Sequence, residues 1–475
     1  PAPPPQIRRF ALLRSTAAAF SVATCVLMYL VARNFGTGVH GGLIAAALLI
    51  FDMINLIESR LVLMDSQLIF WCVAALYVAQ LWWKRLNEHY TAEEALAVSA
   101  AVRRTGSTAA VEGALTDFWP RWATLNGAGT PRGPDRTLAL PTRLAWCVAV
   151  GVTCANAFSI KMTGAATPAF VAIESFFGLW FLRRATHFRD LLVVLGVGVA
   201  TYAFWFWAHF AMAWYSGPNR VEEEFMTPLV RAFGHVIFAC CWMSSVVTPH
   251  PPNRTPQFQS TLVNANRYDA TGKSLAEWHS QEGYIWTMIT HNIRMVVHNA
   301  AILEPHHWQS AWWEWLLDLR GVAYYGKDDR PGWHSQVYLI GNPLVLWSVL
   351  VFQAAAAVFC FIYVRYRSVL PARSTYHALF RQITFGVAVY ALNLAPYFGV
   401  KRSTFIYHYM PALVYAQLMT GAIIDAAVPR AWRGTATKAY LFFIIVGWAF
   451  MSPWVYALPL TSDGHERRRL MPRWN

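Results

Sequence analysis

Between Pro305 and Pro343 the chain reads PHHWQSAWWEWLLDLRGVAYYGKDDRPGWHSQVYLIGNP. This stretch is too charged and too interrupted to cross a bilayer, yet too aromatic for an ordinary hydrated loop. Trp308, Trp312, Trp313, Trp315, Tyr324 and Tyr325 are the kind of amphipathic rings that collect at headgroup level. At helical spacing Trp308, Trp312 and Trp315 share one face, while Glu314, Asp318 and Arg320 fall on others. That pattern predicts an interfacial aromatic helix and then a short polar turn, joining two groups of membrane spans.

The text on either side fits that role. The 475 residues are 56% hydrophobic and only 13% charged, which selects a polytopic helical membrane protein over a soluble one. Apolar runs begin near residues 11, 39, 66, 139, 163, 191, 342, 377, 403 and 439, giving about ten transmembrane helices in an all-α fold. The predicted parts are an N-terminal transmembrane region over 1–214, a loop over 215–341, and a C-terminal transmembrane region over 342–475. A polar connection over 84–137 reads as a short surface helix followed by a linker. The net charge of +14 is loop charge that sets topology; no basic cluster is interleaved with base-stacking aromatics, so no nucleic acid is expected. The seven cysteines lie in or beside apolar runs without metal-ligand spacing, so no metal site or cofactor is expected.

Connections alternate in charge. The segment after the third run carries Lys84, Arg85, Arg103, Arg104 and Arg121, and later connections on that side carry Arg183, Arg365 and Arg430. The positive-inside rule places these in the cytosol. The opposite face then receives Glu58–Ser66, Ser159–Gly164, the loop over 215–336, Lys401–Ser403 and the C-terminus. An Asn253-Arg254-Thr255 glycosylation pattern falls in that loop.

Four polar clusters share this face. In Ser59-Arg60-Leu61-Val62-Leu63-Met64-Asp65-Ser66, Arg60 offers a fork of donors suited to phosphate, or pairs locally with Asp65. In Ser159-Ile160-Lys161-Met162-Thr163-Gly164, Lys161 either snorkels or contacts phosphate. In the aromatic stretch, His306 or His307 can donate to a hydroxyl or phosphate. In Arg402-Ser403-Thr404-Phe405-Ile406-Tyr407-His408-Tyr409-Met410-Pro411-Ala412-Leu413, His408 is an intramembrane ionisable residue, and Arg402 and Tyr409 share a helical face seven residues apart.

In this order the four clusters resemble the motifs of the protein O-mannosyltransferase family: S-R-x-x-L-x-D-S, an S-x-K-x-x-G segment, H-x-W-x-S-x-x-W-x-W followed by Y-L-x-G-N-P, and R-x-x-F-x-Y-H-Y-x-P-A-L. The resemblance implies a GT-C glycosyltransferase fold in the endoplasmic reticulum membrane, or the plasma membrane for a bacterial member. It implies inverting transfer of mannose from dolichyl (polyprenyl) phosphate mannose to Ser/Thr hydroxyls of secretory proteins, and a dimer with a related subunit. It makes Arg60, Asp65, Lys161, His306, Arg402, His408 and Tyr409 the expected substrate-binding residues. A lipid phosphate leaves readily, so basic side chains that stabilise its charge suffice on that side of the reaction.

Two departures from the family pattern are expected. The chain opens at what matches the family's second span, so the first helix and the loop with the catalytic Asp–Glu pair are absent from it, and its catalytic residues are unknown. Glu222, Glu223, Glu224 and Glu314 are carboxylates of the same face without an assigned role. Residues 215–290 are also too few for the β-trefoil domains that eukaryotic members insert there. Two alternatives stay open: a catalytically inactive homologue serving as a membrane scaffold, and a same-fold transferase with a lipid acceptor.

Overall fold

Helices form on every one of the apolar runs. The computed structural model describes residues 5–105, 139–212 and 284–474, apart from 62, 183, 184, 302, 303, 372 and 373. In order these are α1 (Pro5–Asn34), α2 (Val39–Ile50), α3 (Met53–Arg60), α4 (Asp65–Thr105), α5 (Leu140–Ile160), α6 (Ala166–Phe177), α7 (Phe188–Met212) and α8 (Tyr284–Ala301). Then follow α9 (Trp312–Leu316), β1 (Val322–Arg330), β2 (Trp333–Leu339), α10 (Pro343–Tyr366), α11 (Thr375–Leu394), α12 (Met410–Ala427), α13 (Arg433–Tyr456), β3 (Leu460–Thr461) and α14 (Ser462–Glu466). The chain divides into two compact units, residues 1–198 with 305–475, and residues 199–304. In the second unit, Tyr202 donates to Asn292 Oδ1 at 2.5 Å, tying the end of α7 to α8.

This is a multi-pass membrane protein. Among the described residues eight helices are long and apolar enough to cross a bilayer, or nine if α2 and α3, bent by 55°, form one span. The fifth expected run, from residue 163, yields only the 12 residues of α6. It stops because Gly178 turns left-handed at φ +63°. Beyond it, the Glu174 carboxylate accepts the backbone N–H groups of Leu179, Trp180, Phe181 and Leu182 at 2.5–3.2 Å. The helix expected at the start of the 84–137 connection is the continuation of α4, whose 41 residues extend well past a bilayer core of about 30 Å at 1.5 Å per residue. The rest of that connection, Glu222–Glu224 and Asn253–Thr255 lie outside the described residues.

α12 is the axis of the first unit, and 15 of its 18 residues are buried. It is mostly apolar around its circumference, as a largely enclosed helix must be, with Gln417, Thr420 and Asp425 as buried polar residues. It packs against α11 and α2, and at α2 a Cβ on Gly41 would stand 2.5 Å from the Gly421 carbonyl, and one on Gly421 2.4 Å from that of Gly41. Two glycines therefore let the backbones touch. The α2–α3 bend frees backbone groups that side chains then satisfy. Asp52 caps α3 by accepting the Ile54 N–H at 3.2 Å, and Asn342 Nδ2 donates to Phe51 O at 3.0 Å and Ile444 O at 2.9 Å. Asn342 also accepts the Leu344 N–H at 3.2 Å, with Pro343 at the first position of α10. The G-N-P word is thus a helix start that doubles as a clasp on the bend.

The aromatic stretch departs from the expected interfacial helix. Only five residues are helical, and Trp308 lies in the preceding turn. Trp315 is fully buried, with Nε1 donating to Ser310 Oγ at 2.9 Å, and Asp318, expected on the polar face, is also fully buried. The following residues pair as an antiparallel hairpin, β1 with β2, turned by Pro331-Gly332 with Gly332 at φ +74°, and β3 adds to β2. Aromatic and β-branched residues at Val322–Tyr325 and Val337–Ile340 suit strands, and tertiary packing decides in their favour. The C-terminal end returns to this region: Trp474, fully buried, donates from Nε1 to Asp318 O at 2.6 Å, and Arg473 pairs with Glu314.

Candidate active site

Lys161 stands where α5 ends. Its backbone is extended (φ −149°, ψ 143°), and a 3-10 turn over Met162–Ala165 follows at once. The turn requires Gly164, because a Cβ there would sit 2.1 Å from the Ala157 carbonyl. Its side chain reaches Asp65, the first residue of α4, and Nζ donates to both carboxylate oxygens at 2.7 and 2.8 Å. Asp65 also faces the positive end of its own helix dipole. The ammonium lies 5.2 Å from the centre of the Tyr407 ring, a cation–π arrangement. Asp65 takes at most two of the ammonium's three protons, so at least one donor position remains for a ligand.

Around this pair is a cavity of about 280 Å³ lined by Leu63, Asp65, Lys161, His306, Val322, Tyr324, Phe405 and Tyr407. Five separated segments of the chain supply these walls. The segment before α12 is fastened to the aromatic stretch by Thr404 Oγ1 donating to Ser310 O at 2.7 Å, the Ser310 N–H donating to Thr404 O at 2.8 Å, and Ser403 Oγ donating to Gln309 at 2.8 Å. This brings His306 edge-on to Phe405 at 5.1 Å between ring centres. His306 Nδ1 accepts the Trp308 N–H at 3.1 Å, so in the neutral ring Nε2 carries the proton. Tyr324 donates to Glu58 Oε1 at 2.7 Å, and Glu58 is fully buried in α3.

The expected site residues separate into two groups. Asp65, Lys161 and His306 meet at the cavity. Arg402 is half-buried nearby, and its charge is felt at Tyr407 and His408. Arg60 is turned elsewhere: Nη1 donates to Val455 O at 2.6 Å, and the guanidinium lies 4.4 Å from the Tyr456 ring centre. There it satisfies a carbonyl in the last turn of α13, which the helix itself leaves open. It is not paired with Asp65, whose recorded partner is Lys161. His408 packs under Tyr407, with ring centres 4.5 Å apart, and its Nδ1 accepts the Phe405 N–H at 3.1 Å. Tyr409 is buried with its hydroxyl 3.3 Å from that of Tyr390, and neither His408 nor Tyr409 lines the cavity. The seven-residue spacing of Arg402 and Tyr409 does not act as a helical face, because residues 401–405 lie outside any helix, with Arg402 in a bend, and a 3-10 turn occupies Ile406–Tyr409. His307 lies apart as well; its carbonyl accepts a hydrogen bond from Arg320.

Tyr324, Phe405, Tyr407 and Glu58 belong to the site without having been singled out. The first three lay inside the aromatic words, where nothing local distinguishes a wall from a core residue. Glu58 had one usable signal, a carboxylate two residues before Arg60 in an apolar setting. Glu314 is committed elsewhere, accepting the Ala311 N–H at 2.7 Å and pairing with Arg473.

Beside the candidate spans, the aromatic segment thus lines part of a charged cavity. The fold matches the S. cerevisiae protein O-mannosyltransferase complex bound to the sugar donor, with a TM-score of 0.68 over 98% of this chain and 81% of that one, at 16% identity. Residues 5–102 match the family described as dolichyl-phosphate-mannose-protein mannosyltransferase, and residues 285–474 the C-terminal four-span region of protein O-mannosyltransferase. The chain belongs to the protein O-mannosyltransferase family. It is 28% identical over 197 residues to dolichyl-phosphate-mannose–protein mannosyltransferase 1 of Candida albicans, covering 38% of this chain and 22% of that protein. To mannosyltransferase 4 of Schizosaccharomyces pombe it is 28% identical over 217 residues, covering 38% and 27%. In both, the match spans less than a third of the relative's length. Asp65 comes from the first matched region and His306, Tyr324 and Tyr407 from the second, while Lys161 lies between them.

Proposed function

We propose that this protein transfers mannose from dolichyl (polyprenyl) phosphate mannose to Ser/Thr hydroxyls of proteins, in the endoplasmic reticulum membrane, beside a related subunit. The observation that carries this reading is Lys161, held between Asp65 and Tyr407 on the wall of a cavity that joins both family-matched regions. In the leaving lipid phosphate, charge grows as the sugar–oxygen bond breaks. Lys161, with one donor position open and Arg402 close by, meets that charge inside a partly dry site, where such contacts are strongest. His306 Nε2, on the wall of the same cavity, can donate to phosphate or hydroxyl. The solved relative is a complex bound to its sugar donor, which supports both the donor class and the paired subunit.

The test uses the full-length protein in lipid nanodiscs with radiolabelled dolichyl phosphate mannose. Label is expected on a Ser/Thr peptide and not on its Ala counterpart. Label on a lipid acceptor instead overturns the protein-acceptor reading.

A further inference from the structure

Half of the eight residues lining the cavity carry rings, and one of them is held differently from the rest. Tyr324 lines the cavity, and its hydroxyl donates to Glu58 Oε1 at 2.7 Å. Glu58 is fully buried, and its second oxygen has no hydrogen-bond partner among the described residues. A phenol has one proton to give and lone pairs to receive with. With Glu58 ionised, or neutral with its proton on Oε2, Oε1 accepts the phenol proton, so toward the cavity Tyr324 is an acceptor only. Burying a carboxylate beside a second one, Asp65, is costly, and packing alone does not call for it.

We propose that Tyr324, oriented by Glu58, reads an alcohol: its oxygen accepts a hydrogen bond from an O–H group of the substrate bound beside Lys161. Tyr324 is the contacting group, and Glu58 is a positioning residue that acts through it. This rests on the transfer reading above and adds to it a determinant of which hydroxylated ligand is accepted. The hydroxyl belongs either to the sugar of the donor or to the Ser/Thr side chain of the acceptor; the chemistry at Tyr324 is the same. Such a contact discriminates well, because a ligand lacking the hydroxyl leaves a polar oxygen facing nothing.

The experiment measures donor binding and transfer in nanodiscs for the wild type, Tyr324→Phe, Glu58→Gln, Glu58→Ala and the Tyr324→Phe/Glu58→Ala pair. Monodeoxymannosyl donors and a set of Ser/Thr peptides serve as probes. Tyr324→Phe, which keeps ring and volume, is expected to weaken the contact about tenfold. If the sugar is read, that loss appears in donor KM and disappears for the one deoxy donor lacking the contacted hydroxyl. If the acceptor is read, it appears in peptide KM and is the same for all donors. Glu58→Gln keeps an oxygen for the phenol proton and retains near wild-type discrimination. Glu58→Ala matches Tyr324→Phe, and the pair is no worse than either alone. Additive losses, or a Tyr324→Phe enzyme with unchanged KM values and unchanged response to every deoxy donor, overturn the proposal. Donor binding that senses one sugar hydroxyl through Tyr324, with no transfer to peptide, sustains it while removing the transfer reading.

Discussion

Two carboxylate–cation pairs bracket α12, and they do opposite things. At its C-terminal end Asp425 accepts the Gly38 N–H at 2.8 Å, with Arg433 3.5 Å away. A Cβ on Gly38 would stand 2.6 Å from Asp425, so that pair sits in a seam with no spare volume. Near the other end Asp65 and Lys161 meet at 2.7 Å beside a cavity. The ingredients are the same; the difference is what surrounds them. A charge inside a membrane bundle serves packing where backbones close on it and is free for chemistry where side chains hold the walls apart.

The contrast can be tested from both sides. The largest effect is expected in the seam. Gly41→Leu places a side chain where the Gly421 carbonyl already lies, and extraction followed by size-exclusion chromatography should recover little folded protein. Recovery at wild-type levels would show that the α2–α12 contact is softer than its geometry. Next comes Lys161→Met, expected to lower transfer by roughly 10²–10³-fold, as loss of a charged group facing a developing anion does, and to lower Tm because buried Asp65 loses its cation, while folded protein is still recovered. The matched change Asp425→Asn keeps an acceptor for Gly38; it should cost about 1 kcal/mol of stability with turnover largely intact. If Asp425→Asn abolished transfer while Lys161→Met did not, the assignment of the two ends would be reversed.

The smallest effect concerns Asp318, whose carboxyl burial pushes up to about 8, against a partly offsetting hydrogen bond from the Gly341 N–H. A carboxyl raised in the folded state stays protonated there while the unfolded chain ionises. Its contribution is therefore full below pH ~4 and is lost as pH rises toward 8. Asp318→Asn keeps the acceptor for Gly341 and suits the left-handed backbone at φ +56°. The variant should match the wild type near pH 4 and be more stable at pH 8 by a few degrees in Tm. Melting curves at the two values decide it; equal curves at both would mean that Asp318 is ionised in the folded protein.

The spans were legible because a bilayer imposes a length and a composition that any window along the chain reveals. Family membership was legible because four spaced words occur in order. The site was legible only in part. Lys161, Asp65 and His306 meet at one cavity, whereas Arg60 caps the end of α13 and His408 caps a 3-10 turn. Each carried a charge or ring suited to binding, and neither spacing nor residue type tells a ligand from a helix's own unsatisfied carbonyl as the partner. Asp318 looked exposed because a helical wheel assumes that the helix continues; it ends at Leu316, and the chain turns inward.

By itself, then, the sequence determined the membrane class and where most of the spans lie, since both follow from local composition. Only the tertiary structure decided which polar groups face empty space. That depends on the meeting of residues 65, 161, 306, 324 and 407, and on Glu58 holding Tyr324 from behind. No stretch of chain encodes it, because a cavity is the volume that several elements together fail to fill.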